Sequence, residues 1–453
     1  MLGGGPAGYV AAIRAAQLGM RVAVVERESV GGVCLHWGCI PTKALLHVAD
    51  VYNDLRRAGE LGIRSGEPQI DYAKAHARSR QAVRRLASGA EHLLAKAGVE
   101  LIQGTGLLSS AESVEVQERG IRVQARNIIL ATGARSKPLP GVTFDGQRIL
   151  SHRHALELQR LPPSMVIVGA GASGVEFAYL FASLGCKVTL AEMENEILPR
   201  EDAEIAAVVR KGLLRLGVKV LTQARAESVR AVSGGVELLL RRGDEAVPVE
   251  AEKALVATGF SPNVEGIGLE AVGVATANGA VVCDERMATS VPSIYAAGDV
   301  TGPPYLAHLA FAQGVAAAEA IGGGRPAVPP SEDVSRAVFA QPNLISVGLT
   351  QAQAAERGLE VNVGRFPFAA NGRAVSMGHP EGIVKVVLAR QSGEILGIQA
   401  AGYGIAELVG EIAALRGLRA RAEDLLTVTH FHPTMAEALG EALLDAQGRA
   451  LHK

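Results

Sequence analysis

The sequence predicts an α/β chain with two Rossmann-like dinucleotide-binding domains and a C-terminal α+β domain, and three observations predict it. The pattern Gly-x-Gly-x-x-Gly occurs at Gly3, Gly5, Gly8 and again at Gly169, Gly171, Gly174. Each time a helical pattern and then an apolar strand ending in an acid follow, Glu26 in the first case and Glu192 in the second. Beyond the glycine- and proline-rich stretch Gly322–Pro330 the pattern changes to short strands and two helices with no nucleotide motif. At 453 residues the chain exceeds what one hydrophobic core organises.

The first unit reads MLGGGPAGYVAAIRAAQLGMRVAVVE: a glycine turn, an amphipathic helix and the strand Arg21–Val25. Only glycine lets a pyrophosphate approach a helix N-terminus closely, and an acid at the position of Glu26 suits a ribose hydroxyl. The strand that should precede the turn is clipped to Met1 and Leu2, whereas a strand usually runs to about five residues. Its loss would leave ladder groups of the neighbouring strands without partners, so the expectation is either a true start upstream or weakened nucleotide binding.

Gly31–His47 reads GGVCLHWGCIPTKALLH, with four residues between Cys34 and Cys39. Positions five apart point in different directions on a regular helix, so a meeting of these side chains needs a distorted turn, which Gly38 and Pro41 supply. The helical run after it puts the pair at a helix N-terminus, where backbone N–H groups favour a thiolate. Two unconnected buried cysteines fit the spacing as well. No second Cys or Cys/His pair lies nearby, which argues against zinc. Cys186 and Cys283 fall in strand-like runs and read as structural.

Helical sequence continues from Thr42 to Leu94, broken near Gly59–Pro68. Gly98–Leu130 reads as a small antiparallel excursion that ends in the apolar strand Asn127–Leu130. Thr132 and Gly133 then lie where a strand returns to a nucleotide. After the linker Leu161-Pro162-Pro163 the second unit is complete, from Met165–Val168 through the glycine turn and a helix to the strand Lys187–Ala191. Glu192 accepts from a free ribose 2′-OH and repels a 2′-phosphate, so the cofactor of this unit is expected to be NAD. Lys253–Thr258 is a further strand, stopped by Gly259. Ser293–Ala297 is another, ending in Gly298-Asp299 ahead of a small-residue helix, Ala307–Ile321. Asp299 suits either a polyol hydroxyl of a flavin or a helix N-cap. In the tail, Ala337–Phe339 and Ile383–Leu388 read as strands, Ser392-Gly393-Glu394 as a hairpin turn, and Ala406–Arg416 and Met435–Ala446 as helices.

A net charge of −1 gives no footprint for nucleic acid or an anionic membrane. With 48% hydrophobic residues and 53 glycines, the composition is that of an α/β protein with many tight turns. No apolar run reaches the roughly 18 residues of a membrane span, and no leader pattern opens the chain, so a cytoplasmic location is expected. Four cysteines are too few for a secreted disulfide scaffold.

Taken together, the Cys-x4-Cys pair, the two dinucleotide units, the Ala-Gly-Asp strand end and the α+β tail resemble the flavin-dependent pyridine nucleotide–disulfide oxidoreductases along essentially the whole chain. The stretches GGVCLHWGCIPTKALL, LAHLAFAQGVAAAEAI, FPFAANGRA and HFHPTMAEAL are most similar to the branch that oxidises dihydrolipoyl groups. The resemblance implies non-covalent FAD and a homodimer in which one subunit's tail closes the other's active site. It implies an FAD-binding domain at 1–150, an NAD-binding domain at 151–268, a segment at 269–330 completing the FAD domain, and a dimerisation domain at 331–453. Cys34 resembles the interchange thiol and Cys39 the thiol in contact with the flavin. Lys43 resembles the lysine near the flavin N5, and Glu176 its carboxylate partner; a surface ion pair is the plainer alternative for those two. His432 resembles the general base, oriented by Glu437, though His430, His432 and Glu437 also fit a metal site or structural histidines. Ala172-Ser173 departs from the bulkier apolar residues usual there. The implied partner is a lipoyl domain, carried by a 2-oxo acid dehydrogenase complex acyltransferase or a glycine-cleavage carrier protein. A related reductase of mercuric or glutathione type, and a catalytically inactive structural subunit, are the alternatives; the first lacks its expected C-terminal cysteine pair.

Overall fold

The computed structural model describes residues 1–64 and 66–453, which divide into two compact units. The first comprises Met1–Leu45, Ala73–Lys137 and Gly259–Pro329; the second comprises Leu46–Tyr72, Pro138–Thr258 and Pro330–Lys453.

The first unit is built on a parallel sheet. Glu100–Gln103 pairs with Ala23–Glu26, and Ile128–Leu130 pairs with Ile294–Ala296. Leu2 bridges the two pairs, in parallel to Val25 on one side and Leu130 on the other. Its carbonyl accepts from Ala131, its N–H donates to Ile129, and Met1 and Gly3 complete the bonds to Val25. A single bridging residue with its two neighbours thus supplies ladder partners to both strand pairs. Leu2, Val25, Ile102, Leu130 and Ile294 share one buried cluster beneath it. The expectation for Gly98–Leu130 needs correcting, because its opening run, Glu100–Gln103, is a parallel strand of this sheet and the antiparallel part is confined to Gly106–Gln124. Periodicity alone does not reveal which neighbour a short strand finds.

In the second unit a five-stranded parallel sheet runs Lys219–Leu221, Lys187–Ala191, Ser164–Val168, Lys253–Val256 and Ile149–Leu150. Ile149–Leu150 pairs here with Ala254–Leu255, in the compact unit that takes up the chain at Pro138. A three-stranded meander, Arg225–Ala251, was not legible as an element from the sequence. The C-terminal antiparallel sheet orders Arg336–Val338, Asn343–Gly348, Ile395–Gly402, Gly382–Ala389 and Val361–Pro367. Helix Glu437–Ala446 packs its Ala438, Leu439, Ala442 and Leu443 into the same core as Val384 and Val386. Among the described residues no helix is long and apolar enough to cross a membrane.

Candidate active site

Each unit carries a glycine turn, and the two turns share one build. Gly3 and Gly169 have φ of 102° and 98°, a region that favours glycine. Gly5 and Gly171 are the N-caps of helices Pro6–Gln17 and Ala172–Ser183. A Cβ on Gly8 would strike the Gly3 carbonyl oxygen, and one on Gly174 that of Gly169, so both helices press against their own turns. Glu26 accepts the Gly4 N–H at 2.6 Å and the Glu28 N–H at 2.7 Å. Glu192 repeats this with Ala170 at 2.7 Å and Glu194 at 3.0 Å. Both carboxylates are thereby held at the end of the second strand, with lone pairs left for a ribose hydroxyl.

The cysteine pair hangs from the first turn. Gly31 N–H donates to the Gly4 carbonyl at 2.8 Å, and a Cβ on Gly32 would lie only 2.9 Å from Gly5 Cα. Cys34 sits in the short helix Gly32–Trp37 and Cys39 opens the helix Cys39–Arg57. Between them Gly38 leaves helical geometry at φ −143°, ψ −112°, and a Cβ there would meet the Val33 carbonyl at 2.9 Å. Gly38 is therefore the break. Pro41 is not, because it lies in the first helical turn, where its missing N–H costs nothing. The Cα atoms of Cys34 and Cys39 are 4.7 Å apart and the sulfurs are bonded. His36 and Arg80 were missed by sequence reasoning. His36 Nε2 donates to the Val30 carbonyl at 2.8 Å, and Arg80, from helix Tyr72–Lys96, donates to the His36 carbonyl at 2.9 Å. Nothing in local sequence links Arg80 to a helix end 44 residues earlier.

Thr132 donates its hydroxyl to the Asn263 carbonyl at 2.8 Å, and Gly133, at φ 70°, accepts the Asn263 N–H at 2.9 Å. Gly259 has φ 112°, and a Cβ on either glycine would meet open space. Conformation, not crowding by the chain, requires glycine at both. Asp299 follows Gly298 and is not an N-cap, since helix Ala307–Ile321 starts from Leu306. Burial pushes its carboxyl up to about 6. A desolvated acid at a strand end beside a glycine cradle fits a hydroxyl-bearing group such as FAD. Lys43 is partly buried near the start of helix Cys39–Arg57. Glu176 is 5% exposed and accepts the Phe339 N–H at 3.0 Å.

In the second unit, His432 Nδ1 lies 2.8 Å from Glu437 Oε1, whereas His430 Nε2 lies 2.9 Å from Glu411. The two histidines thus turn to different carboxylates. Cys186 precedes its strand by one residue and Cys283 follows another, so neither lies within a strand as expected. Burial raises their thiols to about 12 and about 11, which leaves them inert.

Two dinucleotide cradles in one chain, with a dithiol/disulfide docked on the first, define a class: a flavin-linked, nicotinamide-linked disulfide oxidoreductase. Comparison with known proteins is in accord. Residues 1–314 match the pyridine nucleotide-disulphide oxidoreductase family and residues 334–443 its dimerisation domain. A dihydrolipoyl dehydrogenase of Zymomonas mobilis is 42% identical, over 100% of this chain and 98% of that one. One of Bacillus subtilis is 37% identical with the same coverage. Among solved structures, LpdA from Mycobacterium tuberculosis superposes with a TM-score of 0.90 at 30% identity, covering 98% of each chain. The HOCl-induced flavoprotein disulfide reductase RclA from Escherichia coli gives 0.86 at 28% identity, again over 98% of each. The chain belongs to the pyridine nucleotide–disulphide oxidoreductase family, as an enzyme that uses FAD and NAD(H).

Proposed function

We propose that Cys34 and Cys39 take two electrons from a protein-bound dihydrolipoyl group and that the electrons leave as hydride on NAD+. The activity is that of a dihydrolipoyl dehydrogenase. What carries the residue assignment is the Cys34–Cys39 disulfide at a helix N-terminus, tied to the Gly3–Gly8 turn through Gly31.

FAD, when bound, supplies the two-electron relay between the dithiol and the nicotinamide. Gly3, Gly5, Gly8, Glu26, Thr132, Gly133 and Asp299 would hold it, and Gly169, Gly171, Gly174, Glu192 and Gly259 would hold NAD. Lys43 and Glu176 keep the roles that family resemblance gives them. His432 of a second copy acts as the base. Its Nδ1 faces Glu437, so the lone pair is on Nε2, free to take a proton from a substrate thiol. The resulting thiolate attacks Cys34 Sγ; the Cys34–Cys39 bond breaks, a mixed disulfide forms, and Cys39 leaves as a thiolate. The second substrate thiol, deprotonated in turn, attacks the first substrate sulfur and releases Cys34. The substrate departs oxidised and the cysteine pair holds both electrons. A homodimer, with a lipoyl domain of an acyltransferase or carrier protein as the substrate's bearer, is the assembly this requires.

Replacing Cys39 with Ser tests the scheme. NADH formation from dihydrolipoamide is expected to vanish while flavin stays bound; near-normal turnover would exclude it.

A further inference from the structure

Five residues form one row across the C-terminal sheet: Arg336, Ser346, Gln399, Lys385 and Arg365 are successive cross-strand partners. Partners in register present their side chains on the same face. Three of the five are cations, and what they meet is the start of helix Ala203–Arg215, which belongs to the nucleotide-binding part of the same unit. Lys385 Nζ lies 2.8 Å from Asp202 and 3.2 Å from Glu204. Arg336 Nε lies 2.8 Å from Glu201, and Arg365 Nε 2.9 Å from Glu204. The Lys385 and Asp202 side chains are each 5% exposed, so salt does not screen this pair, and deleting either partner strands a buried charge.

From this row a continuous set of bonds runs back to the second glycine turn. Asp202 spends one oxygen on Lys385 and the other on the Glu204 N–H at 3.0 Å, capping the helix. Glu201 N–H donates to the Leu198 carbonyl, and Leu198 N–H to the Ala170 carbonyl at 2.8 Å. Ala170 N–H in turn donates to Glu192 at 2.7 Å. Leu198 has φ of 51°, a conformation that a branched side chain does not adopt unaided. The loop from Glu192 to Glu201 is held along its length, by Gln223 N–H on the Glu194 carbonyl and by the buried Ile197 and Leu198, and at its two ends. One end is the glycine turn and the other is the Lys385–Asp202 pair.

We propose that Lys385 is a positioning residue for the dinucleotide, holding through Asp202 the loop that carries Glu192 and braces the Gly169–Gly174 turn. The domain matched as a dimerisation module would then have a second task, in cofactor binding. This rests on the reading that Gly169–Glu192 takes NAD.

The test uses the flavin-loaded enzyme and the variants Lys385→Met and Lys385→Arg. Lys385→Met is expected to raise both the Kd and the KM for NAD+ roughly fivefold or more, the scale on which packed networks transmit coupling. Reduction of the enzyme by dihydrolipoamide without NAD+ should keep its rate, and Lys385→Arg should restore most of the affinity. An unchanged Kd, or equal loss in both half-reactions, would overturn the proposal. If Lys385→Met fails to fold, Arg336→Gln and Glu201→Gln, at a pair less buried than Lys385–Asp202, carry the same test, and an unchanged Kd for NAD+ in both would overturn it. Failure of the unmodified enzyme to bind NAD+ would instead overturn the nucleotide-site reading.

Discussion

Glu437 divides its carboxylate between His432 and the backbone: Oε1 lies 2.8 Å from the imidazole Nδ1, and Oε2 accepts the Thr434 N–H at 2.7 Å. The ring is thereby fixed in orientation before any substrate arrives. His432→Ala is expected to lower turnover of dihydrolipoamide by about 100-fold or more, the usual worth of a positioned base. Hydride transfer from NADH, followed by stopped flow, should be unimpaired, because no thiol proton moves in that transfer.

Burial alone would raise the Glu437 carboxyl, but the Thr434 N–H and His432 outweigh it and hold it below 4.5. A depressed carboxylate stabilises above its unfolded value and loses that contribution as pH falls through the folded one. The pair therefore persists throughout the range above 4.5. Any acid limb of kcat near neutrality should survive in Glu437→Gln at reduced amplitude, as a pH–rate profile of the variant against the parent would show.

The two glycine turns should be separable by substitution. A methyl group at Gly8 or Gly174 collides with the preceding turn's carbonyl, and overpacking of this kind costs about 1–3 kcal/mol. Gly174→Ala is expected to weaken NAD+ binding roughly tenfold with flavin content unchanged. Gly8→Ala should purify with reduced flavin, read from the absorbance of the denatured supernatant.

Asp299 gives a pH signature in flavin-free protein. Burial raises its carboxyl from 3.8 to about 6, so the folded state holds more protons across that interval. Stability then falls as pH rises through it and stays lower above. Asp299→Asn should remove that slope and leave the flavin-free chain more stable above pH 6 by about 1–3 kcal/mol. Thermal melts across this range test it. The same variant should retain flavin less well.

Arg80 closes the C-terminal end of the helix that bears Cys34 by donating to the His36 carbonyl. A charged donor to a partly buried acceptor contributes about 1.5–3 kcal/mol. Arg80→Ala is expected to shift the reduction potential of the Cys34–Cys39 pair, whereas Arg80→Lys should recover most of it in equilibrium thiol titrations.

Local pattern carried much of the architecture. Both Gly-x-Gly-x-x-Gly turns, their helices and the strand Lys187–Ala191 lie where spacing put them. Helix Ala307–Ile321 has the bounds read from its small residues. These are features of residues close in sequence, with hydrophobic period and glycine geometry setting them directly. The parallel pairing of Glu100–Gln103 with Ala23–Glu26 was not legible, since strand partners are chosen by the packing of the whole sheet.

The sequence by itself determined the chemistry on offer: two sulfurs five positions apart, two cradles for pyrophosphate, a histidine with an acid five residues on. Only the tertiary structure decided which groups hold them. Leu2 joins two strand pairs, Arg80 reaches back to the turn between the cysteines, and a lysine of the last sheet clamps the cap of a helix 183 residues earlier. Such contacts depend on chain closure over long separations. The free energy that selects them is that of the assembled core, and no window of neighbouring residues contains it.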